Sequence, residues 1–538
     1  MELTRRTLIV GNLKMPVNAS LEEAFSVALG YLRKFGIKFH SPACTVYRRS
    51  VDARRKSDIK FVYSIAVSAE FIGNLTSLPD NVTGLREERP EIVFGDERLS
   101  APPMVVGTGP CGLFAALLLA EQGYKPIVIE RGGSIKERNL AKRDFYLHQK
   151  LNTETNIQFG AGGAGTFSDG KLVTRINDPL SAFVLDKLIE FGASQDIRFM
   201  AKPHVGTDVL SEIVDKMLVK IIELGGSVHY NTKLVDFKTV GNNVTRVETT
   251  GGDFEVGALI MAIGHSARDT YSLLLSKGLS IEAKSFSVGM RIEHLTRDID
   301  TAMYGDFAGN EFLGHAEYNL SHDTKNRGVY TFCMCPGGEV VAAASENGGT
   351  VVNGMSNSRR DGVNSNSAVV CSVFKDDYGA TPEKAITFQR KIEQNAFKAG
   401  KTPYSAPIIT VGDFLNETLK HEPTKVMPTY MGGENVTLAR PSEYLPDFIC
   451  KSIKGALVAF DKKIEGFASD FAVLTGVETR TSAPVRILRD NATHLAFGYS
   501  NLYPAGEGAG YAGGITSAAI DGIKTALALI KKFKYYNG

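Results

Sequence analysis

The sequence has no long apolar stretch and no large excess of charge of either sign. The longest candidate for a membrane span, LFAALLLA, runs into Glu121 and Gln122, well short of the ~20 apolar residues that a spanning helix needs. The first ten residues, MELTRRTLIV, lack the apolar core and small-residue cleavage site of a signal peptide. With a net charge of +2 over 538 residues, these absences favour a soluble, cytoplasmic, globular protein.

Cysteine is also scarce. The six cysteines are spread over the chain, which is unlike a disulfide framework and fits a reducing compartment. No C-x-x-C pair is present, so no zinc site is expected.

The length indicates roughly two to four domains, of which the first is basic. Residues 1–60 contain twelve Lys or Arg against five Asp or Glu. The strand TLIVGN, the helix SLEEAFSVALGYLRKFG and two further strands predict a small α+β, ferredoxin-like module over residues 1–75, and the polar, proline-containing residues 76–103 read as a linker. The positive charge suggests either an acidic partner or RNA, or only the solvated face of a hairpin, which is the favoured interpretation.

A dinucleotide fingerprint follows the linker in MVVGTGPCGLFAALLLAEQGYKPIVIERG. Gly107, Gly109 and Gly112 form G-x-G-x-x-G between an apolar strand and a helix, where they permit a tight turn, backbone approach to a pyrophosphate and close helix packing. The next strand ends in Glu130, which is placed to accept hydrogen bonds from a ribose. Strand, helix and acid together predict dinucleotide binding.

The strands after this fingerprint indicate FAD rather than NAD. A contiguous NAD domain would continue at once with βαβ units, whereas the third parallel strand, SVHYN, appears only at residue 227. Antiparallel strands, the buried strand ALIMAIGH and a last strand and helix in NLYPAGEGAGYAGGITSAAIDG complete the pattern. We therefore predict an α/β, Rossmann-like, doubly wound parallel sheet with an antiparallel meander, interrupted by a substrate domain. The predicted ranges are 104–284 for the first part of the FAD domain, 285–465 for the substrate or cap domain and 466–538 for the C-terminal return.

Several longer motifs carry a specific resemblance. FGAGGAGTFSDGKLVTR, FCMCPGGEVV, VVNGMSNSRRDGVNSNSA, GVETRTSAPVRILRD and LYPAGEGAGYAGGITSAAIDG are similar to the uncharacterised bacterial FAD-dependent dehydrogenases, among the glutathione-reductase-like FAD/NAD(P)-binding flavoproteins. Two positions depart from the pattern. Ala161 stands where a glutamate is expected, and Glu507 stands where the wider superfamily usually has aspartate.

The resemblance implies a set of FAD contacts. It places the fingerprint on the pyrophosphate, Glu130 on the adenosine ribose, Arg131 and Arg138 beside the adenine, and the C-terminal glycines with Glu507 on the ribityl chain and flavin. The residues assigned in this way are Gly107, Gly109, Pro110, Cys111, Gly112, Glu130, Arg131, Arg138, Gly163, Gly165, Thr166, Val235, Gly264, Gly506, Glu507, Gly514 and Ile515.

Residues for the chemistry are only candidates at this stage. Lys171 ends the glycine-rich loop that is expected to pass beside the flavin, and Arg480 and Arg486 could recognise a carboxylate or phosphate. The alternative for the arginines is an internal ion pair with Glu478 or Asp490. His265 follows a strand that ends at the cofactor, although a structural histidine is favoured there.

Cys333 and Cys335 form C-x-C and raise the hypothesis of a redox dithiol beside the flavin. Residues two apart on a strand point to the same face without good disulfide geometry, which favours structural thiols instead.

The sequence thus predicts an FAD-dependent oxidoreductase that transfers a hydride between flavin N5 and a small-molecule substrate. A single fingerprint means that NAD(P)H, if used, would bind only transiently. Two alternatives stay open: a flavoprotein that acts on RNA through its basic module, and a flavin-binding partner protein without turnover. Neither a metal nor a membrane is expected.

Overall fold

A computed structural model describes residues 3–72, 77–85, 89–174, 178–324 and 327–536. The N-terminal module consists of β1 (Leu3–Pro16), α1 (Leu21–Lys34), β2 (Lys38–Asp52), β3 (Lys60–Ile72) and β4 (Val82–Gly84). The helix begins where expected, because the Ser20 hydroxyl accepts from the N–H of Glu23 while the Glu23 carboxylate accepts from the N–H of Ser20.

The strand order in this module is β2-β3-β1-β4, with all neighbours antiparallel. The insertion of β3 between β1 and β2 is the arrangement of a ferredoxin-like sheet. Val82–Gly84, which the sequence assigned to the linker, adds the fourth strand by pairing with Leu8 to Val10.

The N-terminal module packs against the rest of the chain through β2. Arg49 donates its backbone N–H to the carbonyl of Phe199 at 2.7 Å, and its guanidinium lies 5.5 Å from the centre of the Phe199 ring. Other basic side chains of the module, Arg48, Arg54, Arg55 and Lys56, are exposed. Part of the positive charge therefore belongs to a domain contact rather than to a free surface.

The second domain is built on a parallel sheet. Its elements in chain order, after a short β5 (Glu97–Arg98), are β6 (Pro103–Val106), α2 (Pro110–Glu121), β7 (Ile127–Ile129), α3 (Ile135–His148), α4 (Gly163–Thr166), α5 (Leu180–Glu190), α6 (Thr207–Glu223), β8 (Ser227–His229), β9 (Leu234–Val240), β10 (Asn243–Thr249), β11 (Gly252–Glu255), β12 (Ala258–Met261) and α7 (Arg268–Ser276).

The C-terminal segment completes this sheet. β24 (Leu502–Pro504) pairs with β12, giving the parallel order β24-β12-β6-β7-β8, and is followed by α13 (Ile515–Lys532) and β25 (Phe533–Lys534). Apolar side chains of α2, α6 and α13 form a core on one face, and those of the three-stranded meander β9–β11 form a core on the other. The mixed α/β class with a parallel sheet is confirmed.

The segment between β12 and β24 contains the cap domain, which we define as the elements from β14 to β22. A short β13 (Ile281–Ala283) precedes it and β23 (Val485–Ile487) follows it. Its elements are β14 (Phe286–Leu295), α8 (Thr296–Tyr304), β15 (Ser321–Thr324), β16 (Arg327–Cys335), β17 (Glu339–Ala342), β18 (Val352–Met355), β19 (Asn364–Val373), α9 (Lys375–Tyr378), α10 (Pro382–Ala399), β20 (Ala406–Thr410), α11 (Val411–Asn416), β21 (Val436–Leu438), α12 (Asp447–Asp461) and β22 (Val473–Glu478).

The cap is organised around a seven-stranded sheet of order β15-β16-β19-β14-β22-β20-β21. Its strand β22 lies in residues 466–538, which the sequence assigned to the C-terminal return, but it pairs with β14 and β20. The amphipathic helix expected in TPEKAITFQRKIEQNAFKAG is α10. Within the described ranges, no helix is both long and apolar enough to cross a membrane.

Candidate functional site

A cavity of about 1040 Å³ runs between the parallel-sheet domain and the cap. Its volume is at the upper end of the range for cofactor sites. Twelve of the seventeen residues assigned to FAD line it, together with both catalytic candidates, Lys171 and Arg480. The twelve are Gly107, Gly109, Pro110, Cys111, Glu130, Arg131, Gly163, Gly165, Gly264, Glu507, Gly514 and Ile515.

The three fingerprint glycines have different local roles. A Cβ on Gly107, which has φ 99°, would lie 2.4 Å from the carbonyl oxygen of Ala262. A Cβ on Gly112 would lie 1.9 Å from the carbonyl oxygen of Gly107, so this glycine allows helix α2 to approach β6 and does not face the cavity. Gly109 is the N-cap of α2 and has no side-chain cap, which leaves the N–H groups of the first turn available to an anion.

Glu130 is buried at the end of β7 and holds three backbone segments together. Its carboxylate accepts from the N–H of Thr108 at 3.0 Å, from the N–H of Gly132 at 3.0 Å and from the N–H of Gly160 at 2.9 Å. It also accepts from the Thr108 hydroxyl at 2.8 Å. Glu130 also lines the cavity, and its expected contact with the adenosine ribose stays a prediction.

The two arginines assigned to the adenine end differ. Arg131 lines the cavity, lies 4.1 Å over the ring of Phe159 and pairs with Glu154 and Asp269.

Arg138 is fully buried and lies outside the cavity. Its guanidinium donates to the carbonyls of Asn156, Ile157, Ala161 and Gly163 at 2.5–3.1 Å, and burial lowers its pKa to about 9. All its nitrogens are engaged, so the expected adenine contact is replaced by an internal role in shaping the loop.

Three other assigned residues also lie outside the cavity lining. Thr166 is buried, and its carbonyl accepts from the Thr207 hydroxyl at 2.6 Å. Val235 is 50% exposed, while its neighbours at 232–234 line the cavity. A Cβ on Gly506 would meet Cys111 at 2.7 Å, so this glycine serves the packing of the last strand on α2.

The opposite end of the cavity is formed by the start of α13. Its N-cap, Gly514, has no side-chain cap, and a Cβ on Gly264, Gly513 or Gly514 would meet no atom within 4 Å. These glycines leave open space for another group beside free N–H donors. Glu507 lines the same region without a side-chain hydrogen bond in the described residues, and burial raises its pKa to about 7 although Lys284 opposes the shift.

Lys171 belongs to a buried ion cluster at the cavity wall. Its Nζ lies 2.7 Å from Asp169 and 3.7 Å from Glu317, and Arg360 pairs with both carboxylates. Although burial opposes it, these carboxylates raise the pKa of Lys171, which therefore stays charged. The lysine is held in place rather than free to move.

Arg480 forms an internal ion pair, which was the alternative to ligand recognition, but its partner is neither Glu478 nor Asp490. Its Nε and Nη2 lie 3.1 Å from the carboxylate of Glu393 on α10, which also binds Arg268 at 2.7 Å. Glu478 pairs with Arg291, and Asp490 accepts from the backbone of its own turn.

Arg486 and His265 differ in their relation to the cavity. Arg486 does not line the cavity and donates to the carbonyl of Gly510 at 3.0 Å. His265 lines the cavity beside Ser266, and burial, followed by the charges of Arg480 and Arg268, lowers its pKa to about 3. The imidazole is therefore neutral at physiological pH.

Sequence reasoning missed most of the cap's contribution to the cavity. Residues of β16, of the segment before β15 and of the end of β22 line it, including Glu317, Tyr330, Cys333 and Glu478. Only the cysteine pair gave a signal in the sequence. The strand pairing that brings β16 to the cofactor end is nonlocal and leaves no local pattern.

The residues present fit FAD. The long cavity joins two uncapped helix N-termini, at Gly109 and Gly514, which suit a pyrophosphate and the electron-rich edge of a flavin. The open space at Gly264, Gly513 and Gly514 would accept the flavin end, and Arg131 with Phe159 forms a flat surface at the adenosine end.

Comparisons with known proteins agree. Residues 285–481 match the family described as "FAD-dependent protein, C-terminal domain-like". An uncharacterized protein of Clostridium beijerinckii is 45% identical over 494 residues, covering 91% of this chain and 92% of that protein.

Similar solved structures are more distant. Glycine oxidase from Bacillus cereus is 11% identical with a TM-score of 0.34, covering 80% of this chain and 98% of that one. L-amino acid deaminase from Proteus vulgaris is 12% identical with a TM-score of 0.34, covering 82% and 97%. CtdE, solved in complex with FAD, is 9% identical with a TM-score of 0.31, covering 80% and 84%.

The family match over residues 285–481 confirms the predicted cofactor, FAD. The chain belongs to the same family as the Clostridium beijerinckii protein. The narrower glutathione-reductase-like assignment stays a prediction.

Proposed function

We propose that the protein is an FAD-dependent oxidoreductase acting on a small organic substrate that binds under the cap. The observation that carries the proposal is the continuity of the cavity, which passes from the fingerprint to the start of α13 and on to Tyr330 and Glu478 of the cap sheet. The redox end of a bound FAD therefore faces the cap. When bound, FAD supplies hydride transfer at its N5.

The chain's own groups favour negative charge at this end. The uncapped N–H groups at the start of α13 carry the positive end of the helix dipole. Lys171 adds a fixed cation, because Asp169 and Glu317 hold it in place and charged. Electron transfer into the cavity is stabilised by both.

The surroundings of His265 disfavour protonation of its imidazole. Arg268 and Arg480 already lie nearby, and a protonated imidazole would add a third cation in a buried place. The neutral imidazole can instead accept a hydrogen bond from a substrate hydroxyl or amine.

A nicotinamide donor has one route in this proposal. Since the sequence contains a single dinucleotide fingerprint, NADH or NADPH would bind transiently from the cap side, or the organic substrate would reduce the flavin directly. A cytoplasmic location and the absence of a nucleic-acid partner are part of the same proposal.

The test is an anaerobic titration of the purified holoprotein with NADH, NADPH and a panel of small metabolites. The readout is the oxidised-flavin absorption near about 450 nm. Rapid bleaching by one donor supports the proposal and names half of the reaction. A full flavin band that no donor bleaches would overturn it in favour of a binding role.

A pair of variants locates the site. Lys171→Met is expected to slow bleaching because it removes the fixed cation, whereas Lys451→Met, a change at a lysine 76% exposed on α12, is expected to leave the rate unchanged. Equal rates for both variants would show that the flavin does not react at the Lys171 end.

A further inference from the structure

The C-x-C cysteines lie at a break in the cap sheet. Phe332 pairs with Ala368 and Cys335 pairs with Asn366, so β16 has one residue more than β19 across this interval, a β-bulge. Cys333 has a left-handed backbone with φ 46°. The bulge removes the simple same-face relation of residues two apart on a strand, on which the argument for structural thiols rested.

The bulge gives the two thiols different positions. Cys333 lines the cavity and is partly exposed, whereas Cys335 is fully buried behind it. The Cys335 thiol donates to the carbonyl oxygen of Cys333 at 3.3 Å. The pair therefore consists of one sulfur at the cavity wall and one protected thiol that is bonded to the backbone of the first cysteine.

Buried cations surround the pair. Arg291 is fully buried, donates to the carbonyl of Cys333 at 2.9 Å and lies 3.9 Å from the Cys335 sulfur. Lys171 of the parallel-sheet domain lines the same cavity as Cys333, and Glu478 and Glu507 contribute opposing negative charge. The neighbouring Cys335 thiol, and then the charges of Arg291 and Lys171, lower the pKa of Cys333 although burial opposes the shift, while the pKa of Cys335 is raised. This is the environment of a reactive thiolate beside a thiol that keeps its proton.

Cys333 also lies at the redox end of the cavity. It interacts electrostatically with Glu507, which follows the last strand of the parallel sheet, and with Lys171. Glu507 follows β24 and Arg131 follows β7, which is three strands away in the parallel sheet. An accessible sulfur at this place can exchange electrons with the flavin.

We propose that Cys333 and Cys335 form a redox dithiol that exchanges two electrons with the bound flavin and accepts small disulfides as external substrates. The proposal rests on the proposed function, because it needs a redox-active flavin in the cavity. In the internal step, the Cys333 thiolate and the Cys335 thiol become a disulfide. One S–S bond forms, one S–H bond breaks, and two electrons and one proton pass to FAD, giving its reduced anion.

The reverse step connects the pair to a disulfide substrate. The Cys333 thiolate attacks a small disulfide and releases one thiolate, and Cys335 then displaces the second as a thiol, transferring its proton. Reduced flavin, loaded by the hydride donor of the proposed function, returns the pair to the dithiol. Atoms and electrons balance over the cycle, in which one hydride reduces one disulfide to one thiolate and one thiol.

The test counts thiols and electrons in the holoprotein. The six cysteines should all react in denaturant after reduction with dithiothreitol and anaerobic desalting, and four should react after oxidation with glutathione disulfide and removal of the excess. Anaerobic dithionite titration of the oxidised form should then consume four electrons per flavin, two for FAD and two for the disulfide. Intact mass excludes a glutathione adduct.

Variants assign the result to the pair. Cys333→Ser and Cys335→Ser should each consume only two electrons per flavin, whereas Cys44→Ser, in the N-terminal module, should still consume four. Six thiols and two electrons in the oxidised wild-type protein would overturn the proposal. This count does not depend on any donor, so a flavin that no donor reduces defeats the proposed function alone.

Discussion

The position of Gly109 allows a change that affects the cofactor and spares the fold. Its backbone, at φ −61° and ψ 173°, is extended and suits alanine. A Cβ there would have only the Cα of Gly163 near it, at 4.0 Å. Gly109→Ala should therefore change the free energy of unfolding of the apoprotein by no more than about 0.5 kcal/mol.

The same methyl group should weaken FAD binding. It would stand in the cavity at the uncapped start of α2, between the N–H groups and the pyrophosphate. Loss of one hydrogen bond to a charged group costs about 1.5–3 kcal/mol. At about 1.4 kcal/mol per tenfold, the Kd for FAD should rise roughly 10- to 150-fold.

The assay is a titration of apoprotein with FAD, followed by quenching of flavin fluorescence, with urea unfolding measured in parallel. Gly30→Ala is the matched control, since a Cβ on this glycine of α1 also meets open space. It should stabilise the chain by about 0.5–1 kcal/mol and leave the Kd unchanged. An unaltered Kd in Gly109→Ala would refute the placement of the pyrophosphate.

Three further changes test the account. Burial raises the pKa of Glu507 to about 7, so the free-energy cost of burying its ionised carboxylate is absent below pH 4.5 and complete above pH 7. The free energy of unfolding of the apoprotein should therefore fall by on the order of 3 kcal/mol over that window, and that of Glu507→Gln should not. Glu393→Gln should cost about 3–5 kcal/mol in urea unfolding because two buried arginines lose the carboxylate that they share and only Arg268 keeps another, Glu346, while Asp447→Asn at an exposed ion pair should cost under about 1 kcal/mol. Gly112→Ala should destabilise the chain by about 1–3 kcal/mol, because its Cβ would overlap the carbonyl oxygen of Gly107; unchanged unfolding would contradict the packing of α2.

The parallel-sheet domain could be predicted from the sequence because its sequence signals are local. The fingerprint glycines follow a strand and begin a helix within nine residues, and the delayed strands at 227–229, 258–261 and 502–504 each form a short apolar run. Turn residues and period-two or period-3.6 patterns are readable without knowledge of the partner strands.

The strand pairing of the cap and its side-chain contacts could not be predicted from the sequence, because they depend on pairs of residues that are distant in the chain. Arg480 meets Glu393, which lies on a helix of another segment, and β22 joins the cap sheet through β14. Arg138 looked like a ligand by its place in the motif, but its guanidinium direction is set by how the loop at 156–163 folds around it. The bulge at Cys333 likewise depends on pairing with β19.

The measurement that tests the central claim most directly is a crystal structure of the holoprotein with FAD. The account predicts the pyrophosphate at the start of α2, the adenosine beside Arg131 and the flavin between the start of α13, Lys171 and Cys333. Electron density for FAD outside this cavity, or with the flavin at the Arg131 end, would contradict it.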